Sequence, residues 1–216
     1  MTLTPDLLGG RAAHDIVALG ASLFARSLAF GRTGNISVRK GEHILVTPTG
    51  VSLGALHADR LSVIDLAGRH QQGATPSKEA FLHAAIHRMR PDTGAVVHLH
   101  STHAVAVSCL EHPDPADVLP PLTAYYAMRV GRVPLLPYHA PGDTSLEELA
   151  EATAAAHRCF LIANHGSVAA GADLASAADA AEELEETARL FLLLRGLDIR
   201  PLTPSQVSEL NRRFPA

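Results

Sequence analysis

The chain has 216 residues, a formal net charge of −4 and 47% hydrophobic residues. This length and composition predict one domain, residues 1–216, with a core of its own. The negative charge and the low aromatic content, 4%, argue against a nucleic-acid partner. The apolar runs are too short to span a membrane, and the first residues lack a basic stretch followed by an apolar core, so we expect a cytoplasmic protein with no membrane partner. Cys109 and Cys159 form no Cys-x-x-Cys motif and indicate reduced core thiols.

Helical and strand patterns alternate along the chain without a linker. The predicted strands are 36–38, 43–47, 94–100, 133–138 and 159–163. The predicted helices are about 12–30, 76–90, 102–110, one that begins near 145, and 174–195. Thr75 is the expected N-cap of the second helix, with Pro76 at its first position and with Leu82, Ile86 and Met89 on its buried face.

Two histidines lie one residue apart at the end of an apolar strand, His98 and His100 in Gly94-Ala-Val-Val-His-Leu-His. Residues i and i+2 of a strand point to the same face, so both imidazoles leave one face about 6 to 7 Å apart. A single metal ion can bridge that span. The alternative is structural, because the chain has 13 histidines and a histidine on an apolar strand is usually a hydrogen-bonded core residue.

A third histidine, His165, lies where a second apolar strand runs into a glycine turn, in Leu161-Ile-Ala-Asn-His-Gly. Three imidazoles that leave a coordination position open suit a catalytic divalent metal, which must also hold substrate or water. Upstream, Glu79 in Thr75-Pro-Ser-Lys-Glu79 adds a carboxylate near the start of a helix. This combination favours the metal interpretation over the structural one.

Three short segments could hold a phosphate: Thr33-Gly-Asn35, Thr47-Pro-Thr-Gly50 and Ser77-Lys78. They offer backbone N–H groups, small side chains or a cation, although turns of this composition are common. Lys78 is one of only two lysines, the other being Lys40. The three segments become informative as a set that converges on the metal strand.

These segments occur in the order and spacing of the class II aldolase/adducin family, which the chain resembles from about residue 13 to residue 196. The shared motifs are Thr33-Gly-Asn35, Thr47-Pro-Thr-Gly50, Pro76-Ser-Lys-Glu79, His98-Leu-His100 and Asn164-His-Gly166. Within the family, segments 75–83, 98–110, 119–126 and 180–196 most resemble 3-oxo-tetronate 4-phosphate decarboxylases.

The resemblance implies a single three-layer α/β/α domain with a largely antiparallel central sheet, assembled as a homotetramer with active sites between subunits. It also implies one Zn²⁺ per subunit, held by His98, His100 and His165. Glu79 is then a metal ligand when no substrate is bound and the catalytic proton carrier afterwards. The positions that match the substrate's phosphate site are Gly34, Asn35, Thr49, Gly50, Ser77 and Lys78.

Two further positions bear on the resemblance. Many aldolases of the family have serine or threonine where this chain has Lys78, which weakens an aldolase assignment. A tyrosine that such aldolases take from a neighbouring subunit falls at Tyr125 or Tyr126, and the sequence leaves the choice open.

The expected reaction is decarboxylation of a phosphorylated sugar acid, a 3-oxo-tetronate 4-phosphate, to dihydroxyacetone phosphate and CO2. A hydroxyl beside a ketone can chelate zinc, which stabilises the enediolate formed when the neighbouring carbon–carbon bond breaks. Aldol cleavage and pentulose-phosphate 4-epimerisation use the same metal set, so a fuculose-phosphate type aldolase or an epimerase stays open. A Schiff-base aldolase with Lys78 as nucleophile and a non-catalytic module also stay open. The identity of the metal is open as well, because three imidazoles also suit Mn, Co or Fe.

Overall fold

A computed structural model describes residues 7–214 of the chain. Within this range the strands are β1 (Asn35–Lys40), β2 (His43–Val46), β3 (Ser62–Asp65), β4 (His70–Gly73), β5 (Ala95–Leu99), β6 (Leu135–Leu136), β7 (Cys159–Ile162) and β8 (Gly166–Gly171). The α-helices are α1 (Arg11–Ala25), α2 (Ala80–Met89), α3 (Thr102–Ser108), α4 (Ala124–Arg129), α5 (Glu147–Ala156), α6 (Leu174–Leu193) and α7 (Pro204–Arg213). None of these helices combines the length and the apolarity needed to cross a bilayer.

The strands form one mixed sheet in the order β4-β3-β2-β1-β5-β8-β7-β6. Neighbouring strands run antiparallel, except that β6 pairs with β7 in parallel. The prediction of an α/β fold with a largely antiparallel sheet is therefore confirmed. β5 lies near the middle of the sheet, between β1 and β8, so its last residues are enclosed on both sides.

Helices cover both faces of the sheet, which makes the fold three-layered. Along β5, Val97 belongs to the core that also contains residues of α1, α3, α4 and α6. Its neighbour Val96 belongs to the opposite core, where Leu82 and Ile86 of α2 pack with residues of α5. This alternation is the period-2 pattern expected of a strand buried on both faces. It places the side chain of His98 on the same face as α2.

Two predicted helix boundaries are wrong. The first helix ends at Ala25 rather than near residue 30, because Ser27 adopts a left-handed conformation with φ of 59° and the chain turns there. Thr75 is not an N-cap: α2 begins at Ala80, with Glu79 in the N-cap position. Pro76 instead forms an isolated bridge with Pro48, and the chain turns at Lys78 and Glu79 before α2 begins.

Three smaller predictions also need correction. The strand predicted at 133–138 is reduced to Leu135–Leu136, because the flanking Pro134 and Pro137 lack the N–H groups that a longer ladder requires. Met89, expected in the core, is the last residue of α2 and is exposed. Cys159 is buried as predicted, whereas Cys109 follows α3 on the surface.

The sequence patterns did not predict five elements: β3, β4, β8, α4 and α7. β3 and β4 extend one edge of the sheet beyond β2, and α7 packs against α4. β4 has only exposed or half-buried residues, and α7 has none that are buried. Elements of this kind show little of the apolar periodicity on which a prediction rests.

Candidate functional site

The end of β5 brings His98 and His100 together. His98 lies opposite Asn35 of β1 and Val168 of β8 in the strand register and is completely buried. His100 follows Leu99, the last residue of the strand. The two Nε2 atoms are 3.1 Å apart, so both rings point to one place, as the alternation of the strand predicted.

His165 approaches the same place from the turn between β7 and β8. The turn depends on Asn164, which has a φ of 54°, a left-handed conformation that asparagine tolerates better than most residues. The next glycine, Gly166, packs so closely on β5 that a Cβ there would come within 2.3 Å of the Leu99 carbonyl oxygen. The backbone conformation therefore explains Asn164 and Gly166 in this motif. The same turn places His165 against the other two rings.

Glu79 completes the cluster from the N-cap position of α2. Its carboxylate accepts no hydrogen bond from the helix backbone and turns to the histidines instead. One oxygen lies 3.2 Å from His98 Nε2, and the other lies 3.0 Å from His165 Nε2. The side-chain amide of Asn35 donates to Oε2 of Glu79 at 2.9 Å.

The four ligand atoms of Glu79, His98, His100 and His165 lie within 4.8 Å of one another. The Nδ1 atom of His98 donates to the Ser167 carbonyl at 2.8 Å, which leaves its Nε2 with a bare lone pair in the neutral ring. Both ring nitrogens of His165 are buried. Among the described residues Nδ1 has no hydrogen-bond partner, and Nε2 has only the Glu79 oxygen at 3.0 Å, without hydrogen-bond geometry. Several buried lone pairs and a carboxylate that face one point suit a divalent cation, since a cation satisfies them all.

The electrostatics of the cluster also suit a divalent cation. Burial opposes ionisation of Glu79, yet the adjacent His98 and His165 hold its pKa well below the usual range. Burial also disfavours charge on His98, but the Glu79 carboxylate keeps the pKa of this imidazole above its usual value. Burial, followed by His98 and His165, lowers the pKa of His100 to about 3. One carboxylate thus faces a set of rings that cannot all be charged.

The segments expected to hold a phosphate meet beside this cluster. Gly34 and Asn35 open β1, and Thr49 and Gly50 follow β2, which runs antiparallel to β1. The bridge between Pro48 and Pro76 brings Ser77 and Lys78 to the same end of the sheet. The structure therefore joins three stretches that are separate in sequence.

The residues of these three segments differ in their exposure and in whether their side chains are already hydrogen-bonded. Lys78 is exposed, and Gly50, with a φ of 71°, has open space where a Cβ would project. The Ser77 hydroxyl accepts from the Glu79 backbone N–H at 3.3 Å. The side-chain amide of Asn35 is engaged by Glu79 and His83, so this side chain serves the carboxylate in the structure as it stands.

Sequence reasoning missed three buried polar residues behind the cluster: Ser37, His83 and His87. The signal that could have found the histidines is their spacing. Glu79, His83 and His87 are four residues apart, which places them on one face of a helix. That face packs on Asn35 and Ser37 of β1.

Tyr125 and Tyr126, which the sequence left as alternatives, lie in different environments. Tyr126 is buried, and its hydroxyl donates to the Leu119 carbonyl at 3.3 Å. Tyr125 is 58% exposed and has Arg129 over its ring. Tyr125 is therefore the one of the two whose side chain is accessible to another subunit.

Comparison with known proteins agrees with this arrangement. The Class II Aldolase and Adducin N-terminal domain family matches residues 14–192. The 3-oxo-tetronate 4-phosphate decarboxylase of Haemophilus influenzae is 47% identical over 92% of this chain and 95% of its own length. The L-fuculose phosphate aldolase of Escherichia coli O6:H1 is 36% identical over 75% of this chain and 74% of its own.

A solved structure shows the same fold. The crystal structure of YgbL from Klebsiella pneumoniae superposes with a TM-score of 0.90 at 44% identity, and the match covers 93% of this chain and 97% of that one. The family match spans most of the chain, and the motif residues that carry the resemblance meet in one site. The chain belongs to the class II aldolase and adducin family.

Proposed function

We propose that this chain is a metal-dependent carboxy-lyase that converts a 3-oxo-tetronate 4-phosphate to dihydroxyacetone phosphate and CO2. The observation that carries the proposal is the convergence of three imidazoles, a buried carboxylate and an exposed lysine at one end of the sheet. The 47% identity to a protein named for this reaction supports the choice of substrate class. The L-fuculose phosphate aldolase is a less similar relative.

His98, His100 and His165 would hold one Zn²⁺ per subunit, with Glu79 as a fourth ligand before substrate binds. When bound, the metal supplies a Lewis acid that polarises the substrate's oxygens and stabilises the negative charge left by bond cleavage. Neutral imidazole nitrogens suit zinc, and the Ser167 carbonyl fixes the orientation of His98 in the way that outer-shell partners do.

Glu79 would carry the proton that replaces the departing CO2 on carbon. Its place beside the three histidines and its freedom from helix capping allow the carboxyl group to leave the metal position and face the substrate. Asn35 donates to one of its oxygens and so stabilises the carboxylate left after the proton has been delivered. The phosphate end of the substrate requires a separate binding site.

The phosphate-binding site would consist of Gly34, Asn35, Thr49 and Gly50 together with Ser77 and Lys78. Backbone N–H groups and hydroxyls of short turns suit a phosphate, and the ammonium of Lys78 adds a point charge. Lys78 is exposed in the single chain, whereas a Schiff-base lysine is activated by desolvation or by a neighbouring cation. Its position therefore favours the phosphate contact over a covalent role.

We further propose a cytoplasmic homotetramer with its sites between subunits. The accessible ring of Tyr125 supports a contact across an interface. The two cysteines form no disulfide with each other, which suits a reducing compartment.

The deciding experiment measures CO2 release from 3-oxo-4-phosphotetronates and couples it to detection of dihydroxyacetone phosphate. We expect equal amounts of both products, complete loss of activity in chelator and recovery on addition of Zn²⁺. Fuculose 1-phosphate serves as the competing substrate. Cleavage of that substrate without CO2 release from the sugar acids would make the chain an aldolase. Inactivation by borohydride in the presence of substrate would reveal a Schiff base instead.

A further inference from the structure

A line of buried polar side chains runs away from the metal cluster between the sheet and α2. It begins at Glu79 and continues through Asn35 and His83 to Ser37 and His87. Asn35 and Ser37 are residues i and i+2 of β1, so they share the face on which α2 packs. All five residues are buried. None of the last three touches the position where substrate would bind, so the proposed reaction gives them no direct role.

The contacts along the line are consecutive. The Asn35 amide nitrogen donates to Glu79 at 2.9 Å, and the Asn35 carbonyl oxygen is hydrogen-bonded to Nε2 of His83. The other ring nitrogen of His83, Nδ1, lies 2.7 Å from the Ser37 hydroxyl. That hydroxyl lies 2.9 Å from His87 Nε2. Each group therefore has a partner on both sides.

The donors and acceptors can be assigned from the Glu79 end. A carboxylate only accepts, so Asn35 faces it with its NH2 group, and its carbonyl oxygen faces His83. A carbonyl oxygen also only accepts, so Nε2 of His83 carries the proton. Burial lowers the pKa of His83 to about 3, which leaves the ring neutral and its Nδ1 able to accept from Ser37. Because the Ser37 hydroxyl has donated its proton to His83, it can only accept from His87 Nε2, at 2.9 Å. A neutral His87 then has no proton on Nδ1 for the more distant Thr93 carbonyl, at 3.3 Å.

We propose that His83 is a positioning residue for Glu79: its Nε2–H holds the Asn35 carbonyl, so that the Asn35 amide can present only its NH2 group to the carboxylate. This inference rests on the proposed function, because it assigns Glu79 a proton-transfer role. Ser37 supports the arrangement by occupying Nδ1, which fixes the tautomer of His83. The effect on Glu79 is geometric, since displacing a reacting group by about 1 Å can cost about 100-fold in rate.

The alternative is that the line only satisfies buried polar groups and stabilises α2 against the sheet. The two interpretations differ in what a substitution changes. A structural role predicts loss of stability without a specific effect on the chemical step. A positioning role predicts a lower kcat with metal content preserved and with KM changed far less than kcat, because the histidine ligands and every phosphate-site residue except Asn35 are left in place.

The test compares His83→Leu with His83→Gln. Leucine removes the donor to Asn35, whereas the NH2 group of glutamine can take the place of Nε2–H. We expect His83→Leu to lower kcat about 10- to 100-fold, with bound zinc near the wild-type value and KM changed far less than kcat. His83→Gln should recover most of the loss. Ile86→Val is the matched control on the same helix, since it loosens the core of α2 and should lower the melting temperature without lowering kcat.

A crystal structure of the zinc-loaded His83→Leu variant provides a readout that does not depend on turnover. We expect the Asn35 amide and the Glu79 carboxylate to be displaced from their wild-type positions. Unchanged positions, or an unchanged kcat, would overturn the proposal. If the wild-type protein released no CO2, the proposed function would fail while the crystallographic comparison still decided the positioning role.

Ser37→Ala keeps the test decisive if His83→Leu does not fold. Removing the hydroxyl deletes one hydrogen bond to His83 and frees the ring to change tautomer. We expect kcat to fall about 2- to 13-fold, the equivalent of one such bond, again without loss of zinc. A Ser37→Ala protein with wild-type kcat would show that the line is structural only.

Discussion

At the scale of single residues, the Glu79 carboxylate has three partners. Two imidazoles and one amide surround its carboxylate, with His98 and His165 at 3.2 and 3.0 Å and the Asn35 amide at 2.9 Å. The charged form is therefore stabilised although the side chain is buried. A group in this position can bind a metal in one state and exchange a proton in another.

The first prediction separates these two roles. Glu79→Gln keeps the shape of the side chain and an oxygen ligand, but an amide cannot carry the proton. We expect turnover to fall by about two to four orders of magnitude, with phosphate binding and most of the zinc retained. Steady-state kinetics together with metal analysis measure the two effects. Wild-type turnover in this variant would remove Glu79 from the mechanism.

The second prediction concerns the metal. Replacing His98 or His100 with alanine removes an imidazole from a site whose other members stay in place. We expect bound zinc and turnover to be lost while the circular dichroism spectrum stays close to that of the wild type. The exposed His70 provides the matched control, as His70→Ala should keep both. Stoichiometric zinc in the double variant of His98 and His100 would contradict the ligand assignment.

The third prediction uses the scarcity of lysine in this chain. Lys78→Met removes the point charge from the phosphate segment and leaves the metal ligands untouched. We expect KM for the phosphorylated substrate to rise about 10- to 150-fold, since such a charge-assisted contact contributes about 1.5 to 3 kcal/mol, while kcat changes far less. Lys40, the only other lysine, ends β1 on the surface, and Lys40→Met is the control. Equal affinity of the wild type for phosphorylated and unphosphorylated substrates would show that these segments are only turns.

At the scale of elements, α2 contributes both to the site and to the stability of the protein. Its N-cap position carries Glu79, its apolar residues pack on the core between the sheet and α5, and its polar face buries His83 and His87. Burial lowers the pKa of His83 to about 3 and that of His87 to about 4. The folded chain therefore keeps both rings neutral at pH values where the unfolded chain protonates them.

The fourth prediction follows from this difference. Between about pH 6.5 and pH 4 the unfolded state binds a proton at His87 that the folded state does not, so the free energy of unfolding falls as the pH falls. His87→Gln removes this contribution. In urea unfolding of the metal-free protein at pH 6.0 and 5.0, we expect the variant to lose about 1 kcal/mol less than the wild type between the two pH values. Parallel losses in the two proteins would mean that His87 titrates normally in the fold.

At the scale of the whole molecule, the order of strands explains why the site forms where it does. β1, β5 and β8 lie side by side in the sheet, and the turn before β8 and the residue after β5 meet at the same end. Tyr125 lies in α4, and its exposed side chain leaves room for an interface with another copy.

The fifth prediction concerns assembly. If the active sites lie between subunits of a homotetramer, sedimentation equilibrium should give about 91 kDa, four times the chain mass of 22.8 kDa. Activity should also fall on dilution below the dissociation range. A fully active species with the mass of one chain would exclude shared sites. The same measurement on Tyr125→Ala reports whether this side chain contributes to assembly.

The sequence by itself determined the features that depend on near neighbours. The alternation around His98 and His100 placed both rings on one face, because side chains alternate along any strand. The helix predicted at 174–195 agrees with α6 (Leu174–Leu193) to within a few residues, since capping, here by Asp173, is local. The order of the motifs predicted the family, and the family predicted the sheet.

Only the tertiary structure decided what depends on contacts between distant segments. The bridge between Pro48 and Pro76 moves the start of α2 to Ala80, against the capping signal at Thr75. The register of β1 beside β5 sets Asn35 opposite His98, and the packing of α2 on β1 then places His83 between Asn35 and Ser37. No local pattern fixes such a register or such a packing, because their free energies come from residues that are more than 40 positions apart in the chain.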